Sequence, residues 1–340
     1  MAFAGIREAR QEYPMGYFLK LCAFIAVIGI ACGNFAAGQQ VPEGANQTSP
    51  TLLQPIPAAP ATNEIAGQIL NRALLESVWG KPAYCDVRQS VRLFDKKVSS
   101  FGKYVRGGQG SGRLRMSLQL PAGDLMNSLL QVSDGELLTT VTSVGSNSTR
   151  TLVDLGKIRE RLTITTQSLR DPVVAMYLAI GGQAEVLRKL TQQYEWSKVS
   201  EGLLGEERVW WLTGSVQPQP PSQHAEAEID AKLFAESRAG FLPQNAVIAI
   251  GHTDASVPLW LYQVEQWRDL DNRITNGTSS DLHITTEWAS PSYLTPAQLL
   301  PDLFKAQPAE SVMQETREET KLYLPPVTLP TASRVSATRR

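Results

Sequence analysis

The hydrophobic pattern changes period several times along the chain. Between Asn63 and Val78, Ile65, Ile69, Ala73 and Val78 recur near helical spacing, Thr62 or Asn63 is placed to cap the start, and Gly80-Lys81-Pro82 ends the run. The period then falls to two. Val87, Gln89, Val91 and Leu93 alternate with Arg88, Ser90 and Arg92, and a second strand runs from Ser100 to Arg106 around Tyr104 and Val105. After the glycine turn from Gly107 to Gly112, Leu114, Met116, Leu118 and Leu120 alternate with Arg113, Arg115, Ser117 and Gln119, one apolar face and one wet face. Ser133-Asp134-Gly135-Glu136 lies between two apolar runs and predicts a hairpin. Arg150 to Leu155 is a further short strand.

Helical patterning returns from Lys157 to Leu162, then as one helix from Pro172 to Tyr194 with Ala184, Leu187 and Leu190 on its apolar edge. Strands resume at Arg208 to Val216, Asn245 to His252, Pro258 to Arg268 and Leu282 to Trp288. Alternation sets Val209, Trp211 and Thr213 on one face of the first of these and Trp210 and Leu212 on the other. It sets Trp260, Tyr262 and Val264 together on the third. The order of strands, a helical middle and more strands predicts one α+β domain, a curved antiparallel sheet covered by helices.

Outside this span the patterning is of another kind. Leu21 to Gly33 is an uncharged apolar run of roughly 13 residues, the length of a signal-peptide core and short of the ~20 a spanning helix needs. Arg7, Arg10 and Lys20 precede it, and Ala36-Ala37-Gly38 supplies a small-residue exit. The expectation is a signal peptide over residues 1–38 and export to the periplasm or beyond. The alternatives are an uncleaved inner-membrane anchor and lipidation at Cys32. Residues 39–61, rich in Pro, Gln, Ala and Thr, are expected to be a flexible linker. The folded domain is then 62–305, with a polar insertion near 218–240 and a disordered tail over 306–340.

Composition narrows function chiefly by exclusion. A net charge of −1 argues against a nucleic-acid partner. With the leader removed, Cys85 is the only cysteine, so no internal disulfide forms and a large core must hold the fold. His224, His252 and His283 are far apart, and no Cys or His pair has metal-ligand spacing. There is no Gly-x-Ser-x-Gly elbow, and the glycine turn joins two strands rather than opening a helix, so it is no phosphate cradle. No catalytic residue, metal or cofactor is expected. Trp210, Trp211, Trp260, Tyr262 and Trp267 are either core or the lining of an apolar cavity.

Val87-Arg88-Gln89, Gly102-Lys103-Tyr104-Val105, Arg113-Leu114-Arg115-Met116 and Gln131-Val132-Ser133-Asp134-Gly135 occur in the order and spacing of the periplasmic lipoprotein-carrier family (LolA/LolB-like), which the stretch from Asp86 to Leu155 resembles. The resemblance implies an unclosed β half-barrel with a helical lid over an apolar cavity. It also implies a non-enzymatic, monomeric carrier of acyl chains or lipoprotein. Candidate cavity residues are Val87, Val91, Leu114, Met116, Leu118, Leu120, Trp211, Trp260 and Tyr262, and Arg106 is the candidate for cargo handling. Two departures stand out: Leu137-Leu138-Thr139-Thr140 replaces the family's aromatic pair, and Gly107, not proline, follows Arg106. The alternative is an envelope-associated interaction protein on the same fold, its core filled by its own aromatics and its partner another envelope protein.

Overall fold

The computed structural model describes residues 62–93, 96–122, 125–162, 171–217, 243–269, 281–306 and 313–324. The leader, the linker and the insertion near 218–240 lie outside the described residues. Helix α1 (Thr62–Trp79) comes first, followed by six strands in sequence: β1 (Ala83–Leu93), β2 (Lys96–Arg106), β3 (Arg113–Ala122), β4 (Leu125–Asp134), β5 (Leu137–Val144) and β6 (Asn147–Asp154). Helices α2 (Leu155–Leu162), α3 (Pro172–Leu178) and α4 (Gly182–Gln193) form the middle. Strands β7 (Tyr194–Leu204), β8 (Glu207–Val216), β9 (Asn245–Gly251), β10 (Leu261–Asp269), β11 (Asp281–Tyr293) and β12 (Met313–Glu318) complete the chain.

All twelve strands join one sheet in the order β12-β6-β5-β4-β3-β2-β1-β11-β10-β9-β8-β7. Each hairpin pairs with its sequence neighbour, and β11 returns to pair with β1, which fuses the two meanders. Every ladder is antiparallel except β12 with β6. The end strands β12 and β7 do not pair with each other, so the sheet is an open, unclosed half-barrel with helices over one face. Among the described residues no helix is long and apolar enough to cross a membrane.

Four details differ from expectation, each for a physical reason. The buried stripe of α1 is Ala66, Ile69, Leu70, Ala73, Leu74 and Ser77, while Ile65 is exposed. The i, i+3, i+4, i+7 repeat is intact but turned by one position. The single helix expected over Pro172–Tyr194 is two. Ala179 caps α3, and Gly181 and Gly182 adopt φ of +77° and +57°, a left-handed pair that no right-handed helix passes through. Strand β7 went unforeseen because its exposed residues, among them Glu195, Lys198 and Glu201, dilute the alternation, as on edge strands generally. The tail expected to be disordered over 306–340 instead contributes β12 and a 3-10 turn at Thr320–Leu322. Glu319 donates its amide to the Leu152 carbonyl at 2.9 Å, and Tyr323 packs into the core.

Candidate functional site

The helix-covered concave face is the place where a ligand could be held. Ladder register shows which side chains share it. Cys85, Val87, Gln89 and Val91 of β1 stand opposite Tyr104, Gly102, Ser100 and Val98 of β2. Tyr104 and Arg106 stand opposite Met116 and Leu114 of β3. Leu118 faces Leu129 of β4, Met116 faces Gln131, and on the other flank Val87 faces Trp288 of β11. Val87, Leu114, Met116 and Leu118 therefore form one buried apolar floor. Val91 and Leu120 lie on the same face and are buried, but sit outside the main core cluster.

Trp260 is fully buried and joins this floor through Tyr104, with ring centroids 6.2 Å apart. Trp211 and Tyr262 do not. Trp211 stands opposite Ala249, out of phase with Leu212 and Ile248, and so points to the convex side. A bulge between Leu261 and Gln263 sets Tyr262 and Gln263 together against Ala249. Tyr262 lies beside Gly251, so closely that a Cβ there would be 2.9 Å from its ring. The expectation that Trp260, Tyr262 and Val264 share a face is corrected by that extra residue, since Leu261 and Val264 face inward and Tyr262 outward.

Arg106 lies at the closed end of the floor. It donates from Nε to the Lys81 carbonyl (3.1 Å), from Nη1 to the Glu76 carbonyl (2.8 Å) and from Nη2 to the Glu76 carboxylate (3.1 Å). Its guanidinium carbon sits 5.0 Å from the Trp260 ring centroid. It therefore ties the C-terminal end of α1 to the sheet, where a cation also meets the negative end of the helix dipole. Burial pushes the Tyr104 hydroxyl up to about 12 against the lowering influence of Arg106. Burial likewise raises the Cys85 thiol, which makes it a packed side chain and not a nucleophile.

The cover is held by polar contacts as well as apolar ones. Gly182 donates its amide to Gln131 Oε1 (2.9 Å), and Gln183 donates its carboxamide to the Leu261 carbonyl (2.9 Å). On the same helix, buried Glu185 accepts from the Gly181 amide (3.0 Å) and pairs with Lys189 (3.1 Å). Beneath this cover the hollow is nearly filled. One cavity of about 40 Å³ lies between Arg106, Leu114, Ile158 and Gly181. A second, of about 20 Å³, lies between Val87, Gln89, Met116, Leu118 and Trp288.

Sequence reasoning passed over the polar members of this face. Gln89, Ser100, Asn127, Gln131 and Thr286 are all buried on it. The available signal was phase, because Gln89 alternates in step with Val87 and Val91.

His252 is the one described histidine near both a hydroxyl and a carboxylate: its Nδ1 is 3.2 Å from Thr253 Oγ1 and 3.3 Å from Asp254 Oδ2. A relay requires the two partners on different ring nitrogens, and here both crowd one. Thr253 and Asp254 stand on an exposed turn, with Asp254 also paired to Arg208 at 3.1 Å. His283 faces the convex side opposite Arg92, and His224 lies outside the described residues. Among the described residues no cluster of His, Cys, Asp and Glu is placed to hold a metal.

These features define the class, an open, mostly antiparallel half-barrel with helices over its concave face. No protein-family model matches the chain, and no curated protein matches it by sequence. Among solved structures it is similar to a DUF1329-family protein from Desulfovibrio piger, at 8% identity and a TM-score of 0.29, over 72% of this chain and 100% of that one. LprF from Mycobacterium bovis is similar at 14% identity and a TM-score of 0.29, over 70% and 99% of the two chains. A LolA superfamily protein from Nitrosomonas europaea is similar at 10% identity and a TM-score of 0.26, over 71% and 97%.

Proposed function

We propose that the protein is an exported, non-enzymatic carrier of acyl chains or lipoprotein, and that the structure is its closed state. The observation that carries this reading is the construction of the cover. The apolar floor of Val87, Leu114, Met116 and Leu118 is shielded not by a second sheet but by helices. The helix lying on it, α4, starts at a left-handed Gly181-Gly182 pair. Displacing α4 about that pair costs a handful of hydrogen bonds, each worth about 1 kcal/mol net, and uncovers Val186, Leu187 and Leu190, at about 1.5–3 kcal/mol for each side chain left exposed. It exposes a surface on which every buried methylene of an incoming chain returns about 0.8 kcal/mol. Sites for small organic ligands usually measure roughly 300–1,000 Å³, so a chain enters only when the cover moves. In this reading residues 1–38 are the leader, residues 39–61 a linker, and Arg106 the clasp holding α1 down at the closed end.

The volumes of the two cavities favour a second reading, an envelope interaction protein whose hollow stays filled by Tyr104, Trp260 and Trp288. Extraction of the purified mature chain followed by mass spectrometry separates them. The carrier yields lipid at a fixed molar ratio, or acquires it when incubated with phospholipid vesicles. A chain that contains none and acquires none is not a carrier.

A further inference from the structure

The concave face is not uniformly apolar. Thr286, Gln89 and Ser100 stand side by side across β11, β1 and β2. The same row runs on, one step beyond the Phe101–Gln119 pair, through Leu120 to Asn127 of β4. All four polar residues are more than nine-tenths buried: Gln89 is 3% exposed, Ser100 3%, Asn127 2% and Thr286 4%. Trp288, one ladder step away beside Val87, is 1% exposed. Their hydrogen bonding is incomplete. Gln89 donates to Thr286 Oγ1 at 3.2 Å, but its Oε1 has no partner. Ser100 Oγ, Asn127 Nδ2 and Trp288 Nε1 are likewise buried without one.

Buried polar groups are nearly always paired, each orphan costing about 1–3 kcal/mol, and four of the ten buried side-chain atoms without a hydrogen-bond partner among the described residues fall on this stretch of sheet. Gln89 and Trp288 also line the same 20 Å³ cavity, together with Met116 and Leu118. The belt divides the floor. On one side lie Val87, Leu114, Met116 and Leu118, on the other Val91 and Ile284.

We infer that this belt is the seat of an acyl linkage: the carbonyl oxygen of an ester- or amide-joined chain accepts from the Trp288 indole N–H and faces the Gln89 carboxamide, while the chain lies along Val87, Met116 and Leu118. The Thr286 hydroxyl is able to donate or accept, so the Gln89 amide presents whichever edge the linkage requires. A few fixed polar groups in an otherwise apolar site orient a ligand that apolar contact alone would let slide. This inference rests on the carrier reading and adds a ligand chemistry to it.

The test uses the mature chain loaded with a fluorescent fatty-acyl probe. Competitors are a diester phosphatidylglycerol, its dialkyl ether analogue and an N-acyl amide lipid, matched in chain length. The ester and the amide are expected to displace the probe at roughly tenfold lower concentration than the ether, the value of one buried hydrogen bond. Trp288→Phe and Gln89→Leu are expected to shrink that preference below about threefold with ether binding retained. Equal displacement by all three lipids in the wild-type chain overturns the inference and leaves the carrier reading standing. The wild-type ratio decides this even if a variant fails to fold. Displacement by none of them removes the carrier reading, and this inference with it.

Discussion

Arg106→Met tests the clasp at the closed end of the hollow. The substitution keeps most of the side-chain length and removes the charge and all three hydrogen bonds to Lys81 and Glu76. The partners do not suffer equally. The Glu76 carbonyl keeps the Gly80 amide at 2.8 Å, and the Glu76 side chain, 27% exposed, turns to water. The Lys81 carbonyl loses its Arg106 donor, at about 1–3 kcal/mol. The stacking of the guanidinium over Trp260 adds about 1–2 kcal/mol, because both groups are desolvated. Against this, a methionine carries no charge to desolvate, which recovers part of the loss. The net expectation is a destabilisation of about 3 kcal/mol. In equilibrium urea unfolding followed by tryptophan fluorescence, that lowers the midpoint by about 1 M for an m-value near 3 kcal/mol/M. Arg106→Lys keeps a cation with one good bond and recovers about half. A methionine variant within about 1 kcal/mol of wild type, at unchanged m, would refute the clasp.

Two further outcomes follow from particular contacts. Gly182→Ala places a Cβ 2.5 Å from Cε2 of Tyr104 at a φ of +57°, and is expected to cost about 3 kcal/mol, whereas Gly205→Ala, at +62° with open space around it, costs only the left-handed strain of about 1 kcal/mol. Thermal melts of the two variants rank them, and equal losses would show that the cover does not press on Tyr104. At the β4–β5 turn, burial raises the Asp134 carboxyl, but the Leu137 and Glu136 amides and the Arg113 charge outweigh it and hold it below the usual range. A depressed folded value stabilises above the unfolded pKa and is lost as pH falls through the folded one. The stability gap between wild type and Asp134→Asn should therefore be widest near neutral pH and close in acid, and a gap independent of pH would exclude this.

Local chemistry made much of the fold legible. Asp134-Gly135 turns where an Asp-Gly hairpin should, with the Asp134 carboxylate accepting from the Glu136 amide at 2.8 Å and the Leu137 amide at 2.9 Å. The period-two run Leu114, Met116, Leu118, Leu120 is one buried face. Local chemistry gave no account of features that depend on distant partners. The bulge at Leu261 that turns Tyr262 outward is visible only against β9. Strand β12 has little apolar content and exists because the β6 edge lies open beside it. The break before α4 was within reach, because Gly181-Gly182 stands in the middle of the helical pattern, but two adjacent glycines do not by themselves specify a left-handed pair.

Gln89 shows how far phase carries an argument about function. Its alternation with Val87 and Val91 assigns it to the inward face, and nothing in the sequence says whether that face is core or site. In a core, a glutamine in apolar phase is a defect unless both ends of its amide are satisfied, and selection for stability favours a leucine of similar length. Here one end is satisfied by Thr286 and the other is not. Asn127 is likewise half satisfied, its Oδ1 accepting from the Gly145 amide at 3.0 Å and its Nδ2 unpartnered, while Ser100 Oγ has no partner at all. Buried polar atoms without a partner also occur elsewhere in the fold, among them Trp79 Nε1, Arg150 Nε and Tyr262 Oη, but Gln89, Ser100 and Asn127 share the inward face of β1, β2 and β4. Gln89 and Trp288, which line one cavity, are the pair on which the proposed acyl linkage rests. The cover and these unpartnered atoms together, and not the size of the cavity, are the grounds of the proposed binding role.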